Sequence, residues 1–346
     1  SGHQWPSPSK PAGHLRYESA ASTLTQQNGT VIPPVPADHP ARPRSVDLLT
    51  ADHPLRPFPP LHRWRFAVWL RFLVFVAVLL GLGFVLGGAL IFGFSDPRGH
   101  TAFWVYPTTE LVATILAFVV LAVIEARKPI EVAPRRLGGL AGGAALGAVL
   151  LMSVLGVLFL AGAYRIVGIN PAYDVWPDLL WVGITAGIAE EILFRAVLFR
   201  LFEELLGTWG GLALSAAIFG LSHLSNPDAT LWGAIAIALE AGVLFGALYA
   251  VTRSLWWTIG LHFSWNMLQG PVFGSVVSGS GAASGWFQAQ FTGSDWLTGG
   301  QFGIEASVVS VALLTLLGAA LMHVIFHQDL AVKPYWVRKR HLTPTA

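Results

Sequence analysis

Residues 66–94 read FAVWLRFLVFVAVLLGLGFVLGGALIFGF, with Arg71 the only charged residue in the run. A stretch this long and this apolar exceeds the ~18 residues that argue for a membrane span. Working outward, further apolar segments fall at roughly 103–124, 137–163, 176–204, 209–225, 232–251, 255–270 and 304–326. They predict an all-α polytopic membrane helix bundle of about eight transmembrane helices. Composition agrees. The chain is 54% hydrophobic and only 12% charged, against the ~25% charge typical of soluble domains. A larger soluble core would not explain the deficit, because a folded surface still needs polar cover.

The chain divides into three parts. Residues 1–63 hold 12 of the 22 prolines and show no periodicity. Such a segment buries too little apolar surface to offset its ordering entropy, so a disordered tail is expected. Within it, Ala37-Asp38-His39-Pro40-Ala41-Arg42-Pro43 recurs as Ala51-Asp52-His53-Pro54-Leu55-Arg56-Pro57. Residues 64–330 form the membrane domain, and 331–346 a basic C-terminal tail. No signal peptide is apparent, since the first apolar run begins near Phe66. The absence of Cys excludes disulfides, a thiol nucleophile and thiolate-ligated zinc. A net charge of +2 is too small to argue for nucleic acid. The expected partners are a lipid bilayer and a peptide or membrane-protein substrate.

Basic residues fix an orientation by the positive-inside rule. Arg63, Arg65, Arg127, Lys128, Arg135, Arg136, Arg200, Arg253, Lys333, Arg338, Lys339 and Arg340 fall on one set of loops. The alternate loops hold Arg98 and Arg165 and little else that is basic. Both termini are thereby expected on the cytoplasmic side, as an even span count requires. The loop 271–303, rich in Gly and Ser, then faces outward, with Trp286, Phe287 and Trp296 suited to the interface. In the third segment Gly139, Gly143 and Gly147 recur every four residues, which reads as a close helix-packing face.

Ionisable residues inside a bilayer are costly and are functional candidates by default. Glu190, Glu191, Arg195, His223, Glu240 and His262 all fall in apolar segments. Glu191 and Arg195 stand at i,i+4, ion-pair spacing on one helix face. Glu190 points ~100° away. The reading is a division of labour: Arg195 holds Glu191, while Glu190 faces a cavity as a general base. His223 closes Phe219-Gly220-Leu221-Ser222-His223, just before the helix-stopping Asn226-Pro227. His262 and Asn266 share a face at i,i+4, where both can point at a developing oxyanion. Helix arithmetic at 1.5 Å per residue lets all four reach one intramembrane layer. Glu240 reads as a packing acid or a pocket wall. Ser222 and Ser264 lack a Gly-x-Ser-x-Gly nucleophile elbow.

Glu-Glu-x-x-x-Arg, Phe-x-x-x-His and His-x-x-x-Asn, in that order on hydrophobic helices, resemble the CAAX prenyl protease and bacteriocin-processing family (CPBP, or ABI). The resemblance covers about 175–270. It implies an intramembrane endopeptidase of a multi-pass cell membrane, and a bacterial member suits the Pro-rich tail. It implies that Glu190 and His223 activate water, that His262 and Asn266 stabilise the oxyanion, and that Glu191 and Arg195 brace the site. It implies no cofactor. Zn²⁺ held by Glu190, His223 and His262 stands as the alternative. Rival functions are a non-catalytic scaffold or bacteriocin-immunity protein, and a proton-relaying transporter. Paired inverted repeats would favour the last, and none is visible.

Overall fold

The computed structural model describes residues 67–93, 100–125, 127–281 and 284–337. The Pro-rich segment 1–63, Arg98 and the basic trio Arg338, Lys339 and Arg340 lie outside the described residues. Each predicted apolar segment is helical. The helices are α1 (Val68–Gly93), α2 (His100–Ile124) and α3 (Gly138–Leu160). α4 runs through Val175–Asp178, Leu179–Glu190 and Ile192–Phe199. α5 is Arg200–Ser222 and α6 is Leu231–Thr252. α7 comprises Leu255–Met267 and Leu268–Val272, and α8 is Val308–His327.

Five of these are long and apolar enough to cross a membrane: α1, α2, the span that contains α3, α6 and α8. The other three, α4, α5 and α7, are the ones that carry most of the candidate polar residues. Their polarity follows from their surroundings, because their polar faces meet other helices rather than lipid. α4 and α5 join without a gap. The break expected near 205–208 falls at Gly207, whose φ of 75° and ψ of 173° leave the helix. Only glycine adopts that backbone freely. A Cβ there would also strike the Val332 carbonyl at 2.6 Å. Val332 docks at this break, accepting from the Thr208 N–H and donating to the Thr208 hydroxyl. The start of the C-terminal tail is thus bound rather than free.

A short two-stranded ribbon accompanies the helical bundle. β1 (Tyr164–Ile169) follows α3, which ends at Leu160 rather than at 163. β2 (Phe287–Phe291) lies in the stretch read as a loop, and the two pair antiparallel from Tyr164↔Phe291 to Ile169↔Phe287. A two-stranded ribbon is marginal alone. This one is anchored at both ends, by Thr292 N–H to Ala163 O and by Asn170 N–H to Trp286 O.

The glycine face of α3 packs as predicted, and its partner is α7. A Cβ on Gly143 would lie 2.0 Å from the Trp257 carbonyl, and one on Gly147 2.2 Å from the Ser264 hydroxyl. Gly260 of α7 answers from the other side, 2.1 Å from the Leu140 carbonyl. Backbones therefore touch directly. On α4, Gly183 and Gly187 abut Met267 and Phe263 of α7. Gly183, Gly187, Glu191 and Arg195 recur every four residues, so the stripe that seats α7 continues into the ion pair. Gly143→Val should push α7 outward and lower any activity of this site by about 10²-fold, the cost of an ångström-scale misplacement. Gly156→Ala, where nothing lies within 4 Å of the added carbon, should leave activity unchanged. Equal activity of both variants in a purified assay would contradict this packing argument.

A second assembly ties the opposite pole of the bundle. Glu125, fully buried at the end of α2, receives Arg71 of α1 at 2.9 Å, Arg127 at 2.6 Å and Arg200 at 2.7 Å. Arg71 also reaches Glu204 at 2.6 Å, and Arg127 reaches Glu131 at 2.7 Å. Nearby, Arg253 grips Glu203, and Arg136 donates to the Thr252 and Arg253 carbonyls. The segments that the charge rule assigns to one side do meet at one pole.

Candidate active site

A cavity of about 380 Å³ opens among α2, α4, α5, α6, α7 and the α7–α8 connection. Glu190, His223, His262 and Asn266 all line it. The arithmetic of helix rise allowed that convergence, and the fold brings it about. Ser278, Ser280, Asn226 and Trp181 mark its wall at the pole opposite the ion-paired cluster.

Glu191 and Arg195 lie behind the cavity wall. Arg195 Nη1 stands 3.0 Å from Glu191 Oε1, and Arg195 Nη2 donates to the Ala241 carbonyl at 2.6 Å. The guanidinium is also sandwiched by aromatic faces, 4.7 Å from the Phe219 ring centre and 5.1 Å from that of Phe245. Such cation–π contacts favour a buried cation. Glu191 has a second partner that spacing within one helix does not reveal. Its Oε1 lies 2.9 Å from His262 Nδ1. Glu191 therefore fixes the His262 ring as well as pairing Arg195.

The two histidines are held alike, each through Nδ1. His223 Nδ1 lies 2.8 Å from the Phe219 carbonyl. A carbonyl only accepts, so Nδ1 carries a proton, and in the neutral ring the lone pair is then on Nε2. His262 Nδ1 donates to the Glu191 carboxylate, so this nitrogen too carries a proton. Phe219 has three roles here: it faces Arg195, packs edge-on to Phe194 and accepts from His223. Asn266 donates one N–H to the Val182 carbonyl at 3.0 Å. An amide nitrogen has two hydrogens, so one donor of Asn266 is spent on α4 and one remains. Glu190 differs from its neighbour as expected: it is half-buried, lines the cavity, and its Oε2 has no hydrogen-bond partner.

Three further carboxylates line the cavity. Glu110 of α2 faces Glu190 electrostatically. Glu305, ahead of α8, accepts from the Ser278 N–H at 2.5 Å and from its hydroxyl at 3.0 Å, holding the α7–α8 connection against the cavity. Glu240 of α6 is a pocket wall, the second of its two sequence readings. Glu110, in the middle of α2, and Glu305, ahead of α8, escaped sequence reasoning because a single Glu carries no periodic partner. The motif segments Leu179–Glu190 and Ile192–Phe199, and Ala238–Val243 around Glu240, are wound as wide π-type turns. Such turns recur at functional sites.

Among the described residues no three His, Asp or Glu side chains converge as metal ligands.

Glu191→Gln keeps the volume but removes the charge that orients His262 and pairs with Arg195, so the variant is assayed as folded protein of wild-type melting behaviour. The expected result is a kcat about 10²-fold lower with KM nearly unchanged, as for a misplaced group that binds no substrate. A KM effect with kcat intact would contradict a positioning role.

Comparison with protein families gives a match over part of the chain. The model described as type II CAAX prenyl endopeptidase Rce1-like fits residues 172–268. That interval contains Glu190, Glu191, Arg195, His223, Glu240, His262 and Asn266. The match points to CAAX-type intramembrane protease activity, with a peptide substrate in a membrane setting. No curated protein and no solved structure matches the chain.

Proposed function

We propose that this protein is a multi-pass intramembrane endopeptidase of the CPBP type, which hydrolyses a peptide or membrane-protein segment with an activated water and without a bound metal. The observation that carries the reading is that Glu190, whose Oε2 has no hydrogen-bond partner, and His223, held through Nδ1 by the Phe219 carbonyl, line one cavity.

In this mechanism water binds between Glu190 and His223. Glu190 takes a proton as the water oxygen attacks the scissile carbonyl. The carbonyl oxygen becomes an oxyanion and receives hydrogen bonds from protonated His262 Nε2 and from the remaining Asn266 N–H. Collapse of the tetrahedral intermediate breaks the C–N bond, and the proton held by Glu190 passes to the departing amine. Glu191, Arg195 and Phe219 keep these donors in place without touching substrate.

With the ion-paired pole cytoplasmic, the cavity wall formed by Asn226 and Ser278 lies toward the other side of the membrane. That placement suits a secreted or membrane-embedded peptide. The absence of Cys permits a clean check. Exposed Ser225 and exposed Arg135 lie at opposite poles. In whole cells, Ser225→Cys should react with an impermeant maleimide and Arg135→Cys only after permeabilisation. The reverse pattern would invert the orientation.

The direct test of function compares membrane-proximal peptides from cells carrying the wild type and Glu190→Ala. A peptide terminus present only with the wild type identifies the cut. Identical peptide sets at equal membrane expression would leave a non-catalytic scaffold as the better account.

A further inference from the structure

The unused feature of the cavity is Glu240. Its side chain is 1% exposed, it lines the cavity, and its Oε1 has no hydrogen-bond partner. Its nearest electrostatic neighbour is another carboxylate, Glu305. Buried carboxylates are ordinarily paired with a cation or saturated with hydrogen bonds. Glu305 meets that rule through Ser278, and Glu191 through Arg195 and His262. Glu240 does not.

The rest of the lining makes the imbalance larger. Glu110, Glu190, Glu240 and Glu305 face the cavity and no Lys or Arg does, while its two histidines, His223 and His262, are held through Nδ1 by the Phe219 carbonyl and by Glu191. The nearest guanidinium, Arg195, is consumed behind the wall by Glu191 and Ala241. A carboxyl buried in this way either holds a proton or takes a positive charge from outside, and the second is what a ligand can supply. A divalent ion fits poorly, since no three acidic or imidazole groups among the described residues converge as ligands. An ammonium or guanidinium fits better: it makes one or two directed hydrogen bonds and brings an apolar stem. Ile237, Ala241, Phe245 and Leu314, on the same cavity, supply apolar surface for such a stem.

We infer that Glu240 is the specificity residue of this site and that it selects substrates carrying a Lys or Arg side chain, whose cationic head seats against Glu240 while the scissile bond lies at Glu190 and His223. The inference rests on the protease reading for the second half of that statement only. Cation selection stands without cleavage.

The test separates the two. Glu190→Gln protein, purified in an uncharged maltoside detergent, is titrated with fluorescent, N-acetylated apolar decapeptides that differ only at one central position, Lys or norleucine. A charge-assisted hydrogen bond in a buried site predicts tighter binding of the Lys peptide by about tenfold or more. Adding Glu240→Gln should abolish that difference while leaving the norleucine peptide unaffected. Equal binding of the two peptides to the Glu190→Gln protein overturns the inference, and this arm needs no second variant. A Lys preference that survives Glu240→Gln overturns it as well. Failure of the protease reading shows elsewhere, as hydrolysis by Glu190→Gln equal to that of wild type.

Discussion

Purified protein carrying Glu190→Gln is expected to hydrolyse its peptide substrate about 10²–10⁴-fold more slowly than wild type, the range a positioned general base contributes. Glutamine keeps the size and the hydrogen-bonding reach of the side chain but cannot take the proton of the attacking water. The fold should be untouched, because Glu190 makes no ion pair that the helices depend on. Its neighbour Glu191 has that duty. His223→Ala should cost a similar factor. The double variant should be little worse than either alone, because groups acting on one water fail together. Additive losses would mean that the two act on separate steps. Unchanged hydrolysis by Glu190→Gln, with wild-type melting behaviour, would remove the carboxylate from the mechanism.

The second large effect lies far from the cavity. Glu125→Ala is expected to destabilise the folded protein by about 3–5 kcal/mol, the usual result of removing one partner of a buried ion pair. The figure follows from what remains: Arg71, Arg127 and Arg200 would be left buried beside each other without their shared carboxylate. Lys128→Ala, at an exposed position on the same pole, should change stability by no more than about 0.5 kcal/mol. Thermal melts of the detergent-solubilised variants decide the matter, and equal melting of both would dissolve the argument. A pH dependence accompanies it. Burial alone would raise the Glu125 carboxyl, but Arg200, Arg127 and Arg71 hold it down at about 2. A depressed carboxylate contributes stability that is full above its unfolded value of 4.5 and is lost as pH falls toward 2. The wild type should therefore lose stability across that acid window, and Glu125→Ala should lose less.

Much of the fold was legible because it rests on local spacing. The four-residue recurrence of Gly139, Gly143 and Gly147 announced a close contact, though not that α7 was the partner. Glu191 and Arg195 at i,i+4 announced a pair, and the pair formed. Glu190, one step round the helix, faced the cavity as its direction implied. The unread parts are contacts across long stretches of chain. Glu125 meets Arg71 and Arg200 over separations of 54 and 75 residues, so Arg200 read only as a loop marker and nothing local linked it to the other two. His262 finds Glu191 over 71 residues. Glu240 offered two readings because a lone carboxylate has no periodic signal to tell wall from packing. β1 was missed because Tyr164–Ile169 is short and interrupted by Gly168, with an irregular register between Ile166 and Gly168.

The β1–β2 ribbon bears on biosynthesis. β1 lies between α3 and α4, and β2 between α7 and α8, so the ribbon closes only once the nascent chain has passed Phe291. By then α4 has long since left the ribosome. It enters the bilayer without His262, carrying Glu191 already neutralised by Arg195 in the same helix, which eases the cost of inserting either charge. Arg195 thus escorts the carboxylate through translation before both serve the finished site. His262 and Asn266 join Glu190 and His223 around the cavity only once α7 has been made.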